Sequence, residues 1–217
     1  WLIGRVSELM IDLHIKKYNY FALVSALLFS ISTPAAKLLL NGSSPQMFAG
    51  LLSLGQGLGL TIVFLLRKLI WKTDMEREPG LRGVEFSWLA GVVLAGGVFA
   101  PLLLMIGLSG ASASGSSLLL NTEGILTTLL AALLFGEAVG SRIWFASFIM
   151  LVAGVLLAYE PNVQWGISLN ALAVLGACFM WALDNNLTRH ISAKDPVMIA
   201  MIKGLTAGSV NFWIGWF

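Results

Sequence analysis

The sequence predicts an all-α integral membrane protein, and three observations carry that reading: scarce charge, seven apolar runs of membrane-crossing length, and an internal repeat holding an odd number of runs. Only 24 of the 217 residues are Lys, Arg, Asp or Glu, 11%, where about 25% is usual in soluble domains. Hydrophobic residues make up 58%, and glycine lifts that share to about 69%, against roughly 45–50% in soluble chains. A soluble surface cannot be covered with so few charges. Disorder, a coiled coil and a nucleic-acid-binding module are excluded on the same arithmetic, because each needs far more charge.

The first element, residues 1–18, carries Leu2, Val6, Leu9, Met10 and Leu13 at helical spacing, with Arg5, Glu8 and Asp12 between them. An interfacial amphipathic helix and an ordinary amino-terminal extension both fit. A cleavable signal peptide does not, since no compact positive-then-apolar-then-small pattern precedes residue 18. Crossing a ~30 Å hydrocarbon core takes about 20 apolar residues as helix. Runs of that kind cover 20–40, 47–66, 88–108, 114–135 and 143–159, a first unit of five helices over 19–160. Two more, 167–187 and 196–217, open a second unit at 161. Their Leu, Ala and Gly content favours helices over the weakly alternating strands of an outer-membrane barrel.

Basic residues orient the spans. Arg5, Lys16 and Lys17 precede the first; Arg67, Lys68, Lys72, Arg77 and Arg82 join the second to the third. Arg142 follows the fourth, and Arg189 and Lys194 join the sixth to the seventh. All eleven share one side if the spans alternate, whereas the opposite loops 41–45, 109–113 and 160–166 hold no Lys or Arg. By the positive-inside rule the amino terminus is cytoplasmic, in a multi-pass protein of the cytoplasmic membrane.

Sliding the sequence by 151 positions aligns 19–66 with 170–217 without a gap. Identities fall at Asn19/Asn170, Ala22/Ala173, Ala26/Ala177, Pro45/Pro196, Met47/Met198, Ala49/Ala200, Leu54/Leu205 and Gly57/Gly208. Five spans per unit force the second copy to be inserted upside down, the inverted-topology repeat on which many secondary transporters are built. The chain begins at Trp1 and ends at Phe217 with no polar tail. The expectation is therefore a ten-helix protein truncated within its second repeat, about three spans short.

The stretch 111–137 runs from small residues through Asn121 and Glu123 to an apolar run closed by Gly136-Glu137. It resembles the fourth-helix signature of the EamA-like transporter family, in the drug/metabolite transporter superfamily. Residues 144–159, with Gly154-Val155-Leu156-Leu157, resemble that family's fifth helix, and Thr33-Pro34-Ala35-Ala36-Lys37 with Ser44-Pro45 resembles its first hairpin. The resemblance covers about 19–217 and is specific over 111–159. It implies a ten-helix carrier of two inverted five-helix repeats, moving small metabolites, outward in many members, by alternating access. Two positions depart from the pattern: Gly124 stands where Pro is common, and Leu52 where a base is common. The repeat partner of Leu52 is Lys203, so one half carries the base and the other does not.

Ionisable groups inside spans cost about 2.5–3.5 kcal/mol at a helix centre, which makes each a functional candidate. There are four: Lys37, Glu123, Asp184 and Lys203. Glu123 lies about 13 Å into the fourth span, near the midplane. Ser112, Ser116, Glu123 and Thr127 fall on one face of a continuous helix, a polar stripe that wants a water-filled cavity; Asn121 stands beside it. Asp184 and Lys203 lie at depths of about 9 and 12 Å from the cytoplasmic turn on adjacent antiparallel helices, so they can pair. Asn185 and Asn186 add donors beside Asp184. Lys37 lies near the outer end of the first span, where its stem can snorkel to the interface. His14 and His190 fall in solvated cytoplasmic positions.

Other motifs carry less. Gly55-Gln56-Gly57-Leu58-Gly59 sits mid-span with no strand before it, so close helix packing explains it better than a phosphate loop. Gly107-Leu108-Ser109-Gly110 matches an intramembrane protease motif but lacks a membrane-embedded His as base. Cys178 is the lone cysteine, and no His/Cys cluster offers a metal site.

The resulting expectation is a secondary transporter that exports a small metabolite or drug-like solute, with membrane lipid around it, no nucleic-acid partner, no enzymatic chemistry and no cofactor. Amino acids, metabolites, drugs and sugar derivatives all fit, as does proton coupling, and oligomeric state leaves no signal. A membrane-embedded enzyme and a passive channel are the alternatives. The first would need a clustered nucleophile, base or metal set; the second would more naturally oligomerise around a pore without an inverted repeat.

Overall fold

The computed structural model describes residues 2–40, 44–70, 81–158 and 168–217, with the side chains of 1–18, His14 among them, outside the description. Most of the charged 67–82 loop and all of loop 160–166 also lie outside the described residues. Among the described residues every regular element is helical: α1 Leu2–Leu39, α2 Pro45–Ile70, α3 Val84–Gly110, α4 Ala113–Leu119, α5 Thr122–Phe135, α6 Ser141–Ala158, α7 Leu169–Thr188 and α8 Pro196–Trp216. All seven expected runs fall on helices, the fourth being shared by α4 and α5. Among the described residues five stretches are long and apolar enough to cross a membrane, namely Asn19–Leu39, Pro45–Arg67, Val84–Gly110, Ser114–Phe135 and Pro196–Trp216. The protein is an all-α membrane protein.

Helix ends are set locally. Ser112, Ser168 and Asp195 accept hydrogen bonds from Gly115 N, Ala171 N and Val197 N at 3.1, 3.2 and 2.8 Å, each satisfying an otherwise orphaned helix donor. Gly136 ends α5 in the left-handed region, φ 64°, where a Cβ would be strained.

Small residues bring α2 and α8 into the closest helix pairing of the fold. The two run antiparallel: Met47 lies against Gly215, Gly50 against Phe212, Leu54 against Gly208, and Gly57 against Gly204 and Leu205. Shifting by 151 residues maps the Gly57–Leu205 contact onto Gly208–Leu54, about a centre between Gly55 and Gln56 on α2 and between Thr206 and Ala207 on α8. Within the glycine triplet only Gly57 makes this approach, since Gly55 and Gly59 have open space where a Cβ would stand. Packing therefore accounts for one of the three. A Cβ at Gly57 would sit 2.8 Å from the Gly204 carbonyl carbon, and overpacking of that kind costs about 1–3 kcal/mol. Gly57→Ala is expected to lower the unfolding temperature in detergent, while Gly59→Ala leaves it unchanged or slightly raised. Equal Tm values for the two would contradict the seam.

The helix ends sort into two groups. At one end Trp88 stacks on His190, with ring centres 4.0 Å apart, and Phe135 approaches the same imidazole at 5.6 Å. There Lys194 pairs with Glu85 at 3.1 Å and Arg189 with Glu137 at 2.5 Å. His190 is thus exposed but wedged between aromatic rings rather than freely solvated. At the other end Asn170 lies against Gly110, and Ser44 donates to Gly215 O at 3.3 Å. An apolar cluster backs each end: Leu89, Val92, Ile191 and Ile199 at the basic one, and Leu104, Met105, Leu108, Val174 and Cys178 towards the other.

Candidate functional site

Between those two clusters the helices do not close. A cavity of about 300 Å³ opens there, at the small end of the roughly 300–1,000 Å³ range of ligand pockets. Ser53 and Gln56 of α2, Gly96, Gly97 and Pro101 of α3, and Glu123 of α5 line it, together with Trp181 of α7, Lys203 and Gly204 of α8, and Phe29 of α1.

Its α3 wall has a local cause. Pro101 has no N–H to give to Gly97 O, and its ring crowds that carbonyl. The chain widens into π-helix over Val93–Phe99, a device common at functional sites. Asn211, fully buried on α8, donates to Gly97 O, which Pro101 leaves without its usual partner, at 3.2 Å, and to Val98 O at 3.3 Å. Glycine is required at the next step. A Cβ on Gly96 would collide with the Asp184 carboxylate and the Lys203 ammonium, and one on Gly97 with Ala207.

Asp184 and Lys203 form an ion pair, as their matched depths allow, and Thr188 donates to the other Asp184 oxygen at 3.4 Å. Only 7% of the Asp184 side chain and 20% of Lys203 remain exposed, so the pair is far from a solvated surface bridge. Lys203 faces the cavity while Asp184 stands behind it. Among the described residues Glu123 forms no ion pair; Asn185 donates to its Oε1 at 3.0 Å. Asn186, buried next door, donates to Thr127 O at 3.1 Å and Ala182 O at 2.8 Å, fastening α7 to α5.

The expected stripe of Ser112, Ser116, Glu123 and Thr127 on one continuous helix face does not form. The helix breaks at Leu120 and Asn121, where Asn121 N and Glu123 N bond three residues back, to Leu118 O and Leu120 O. Thr122 Oγ1 donates to Leu119 O at 2.7 Å, and Cys178 Sγ approaches Leu119 O and Leu120 O at 3.6 and 3.9 Å. Tightening the turn changes the angular step, so Ser116 is buried away from the cavity and Thr127 turns its hydroxyl into the protein. Exposed Asn121, in the break itself, donates back to Leu118 O of α4 at 3.0 Å. Lys37 does not snorkel. Its ammonium donates to Leu108 O and Ser109 O, capping the carbonyl end of α3, where a cation suits the helix dipole. Of the eight candidates, Glu123 and Lys203 line the cavity, Asp184 and Asn185 bond to them without lining it, and Lys37, Ser116, Asn121 and Thr127 stand apart from its wall. Sequence reasoning missed Phe29, Ser53, Gln56 and Trp181; the one available signal was Gln56, an amide alone in an apolar run.

A bundle of membrane-length helices around a small, charged, mid-span cavity defines a polytopic membrane protein with an internal polar site. The EamA-like transporter family matches residues 16–159, and the chain belongs to that family. It is 26% identical over 209 residues, 89% of this chain, to a protein of Methanothermobacter thermautotrophicus described as an uncharacterized transporter. The chain spans 60% of that relative's length. No solved structure matches.

Proposed function

We propose that the protein is a secondary transporter that binds a small metabolite or drug-like solute in the cavity between α2, α3, α5, α7 and α8 and carries it outward by alternating access. The observation that carries the reading is the cavity itself, with a carboxylate and an ammonium facing one small space near mid-span. Keeping such groups there is costly, and midplane binding at a repeat interface is the carrier pattern. Residues 19–160 form one five-helix repeat and 161 onward an inverted second; the antiparallel, self-complementary contact of α2 with α8 supports this, because a two-fold axis generates contacts of that kind. Glu123 is the group that a solute or a coupling proton engages. Residues 1–18 and the loop 67–82 face the cytoplasm.

Vesicles containing the intact protein are expected to accumulate solute above its equilibrium level under an imposed ion gradient. Equilibration without accumulation would make the protein a channel instead. Orientation is tested separately by replacing Arg77 with Cys in a Cys178→Ala background. An impermeant thiol reagent is expected to label residue 77 only from the cytoplasmic side, and strong labelling from outside would overturn the topology.

A further inference from the structure

We infer that the cavity takes a small monovalent organic cation with a ring-sized apolar body, Glu123 holding its charge while Phe29 and Trp181 flank its body. The inference rests on the reading that this cavity is the solute site, and it adds the class of solute.

Charge pairing makes the choice. Among the described residues three ionisable side chains meet here, and two are already matched, Lys203 with Asp184. Glu123 keeps a neutral partner, the Asn185 amide. An anionic solute could recruit Lys203 only by drawing it off Asp184 and stranding a buried carboxylate, which is severely unfavourable. A cation needs no such rupture. It adds to the Glu123 carboxylate and displaces at most one amide hydrogen bond. The walls agree with this: Trp181 and Phe29 border the same space, and aromatic faces attract cations through their quadrupole, Trp best of all. Gln56 and Ser53 supply neutral polar contact from α2. A cavity of about 300 Å³ holds one ring with a compact cationic head, not a larger polycyclic body. A dication would meet one uncompensated carboxylate and the Lys203 ammonium, so a single charge is favoured.

The test uses the intact protein carrying Ser53→Cys and Cys178→Ala, with the labelling rate of Ser53→Cys by a thiol reagent as readout. Labelling from each membrane face reports access and stands or falls with the transporter reading. Protection from labelling reports the solute class. Benzyltrimethylammonium is expected to protect at concentrations about tenfold lower than benzoate or phenylalanine, the equivalent of about 1.4 kcal/mol. Adding Glu123→Gln is expected to weaken that protection by about tenfold or more, while Glu137→Gln, on an exposed carboxylate outside the cavity, leaves it unchanged. Equal or better protection by benzoate or phenylalanine overturns the inference even where access from both faces is observed, as does no protection by the cation. The comparison among the three probes needs no change at Glu123, so it decides even if the Glu123→Gln protein folds poorly.

Discussion

Lys203→Met or Asp184→Asn alone is expected to destabilise the protein by roughly 3–5 kcal/mol, the usual penalty for removing one partner of a buried ion pair. Each change leaves the other group without its partner, in a site where Gly96 presses against both and little of either side chain reaches solvent. The double variant Asp184→Asn/Lys203→Met restores neutrality at similar volume, and it is expected to unfold later than either single. A strongly non-additive cycle is the signature of direct coupling. Unfolding of the four proteins in detergent supplies the measurement. Additive losses would mean that the two groups act independently, and the cavity wall would need another explanation.

Glu123→Gln is expected to abolish or strongly alter transport while insertion and yield stay near those of the parent. Glutamine keeps the volume, and its amide oxygen can still accept the Asn185 hydrogen bond, so α5 remains tied to α7. What it lacks is the capacity to ionise. The contrast with the Asp184–Lys203 cycle is physical: that pair holds the fold, whereas Glu123 faces the cavity and, among the described residues, is bonded to a neutral amide rather than to a cation. Solute flux in vesicles across a broad pH range measures the effect. Unchanged flux would reduce Glu123 to a structural hydrogen-bonding group and move the binding role to Lys203.

Much of this was legible in the chain because membrane helices are governed by length and polarity. Runs of about 20 apolar residues admit one backbone solution, and all seven fall on helices. Counting helix rise from the turns put Asp184 and Lys203 level, and the structure pairs them. Other features depend on neighbours remote in sequence. The π-helical turn follows from Pro101, and Asn211, more than a hundred residues away, donates to two of its carbonyls, Gly97 O and Val98 O. Lys37 reads as a snorkelling lysine until the end of α3 is brought beside it. Ser116 and Thr127 leave the stripe for a local reason: a shared face needs a continuous helix, and the turn tightens at Leu120 and Asn121. Gln56, Trp181 and Phe29 are ordinary residues in isolation, and only helix packing assembles them around Glu123.

The cavity bordered by Glu123 and Lys203 is expected to open in turn to the two faces of the membrane. The most direct test of this is the accessibility of Ser53, on the cavity wall, measured as Ser53→Cys in a Cys178→Ala background with an impermeant thiol reagent applied to one face at a time. Labelling from either face, with no sustained ionic conductance across a bilayer holding the same protein, is the predicted result. Labelling from neither face, from one face alone, or from both with steady conductance would contradict it.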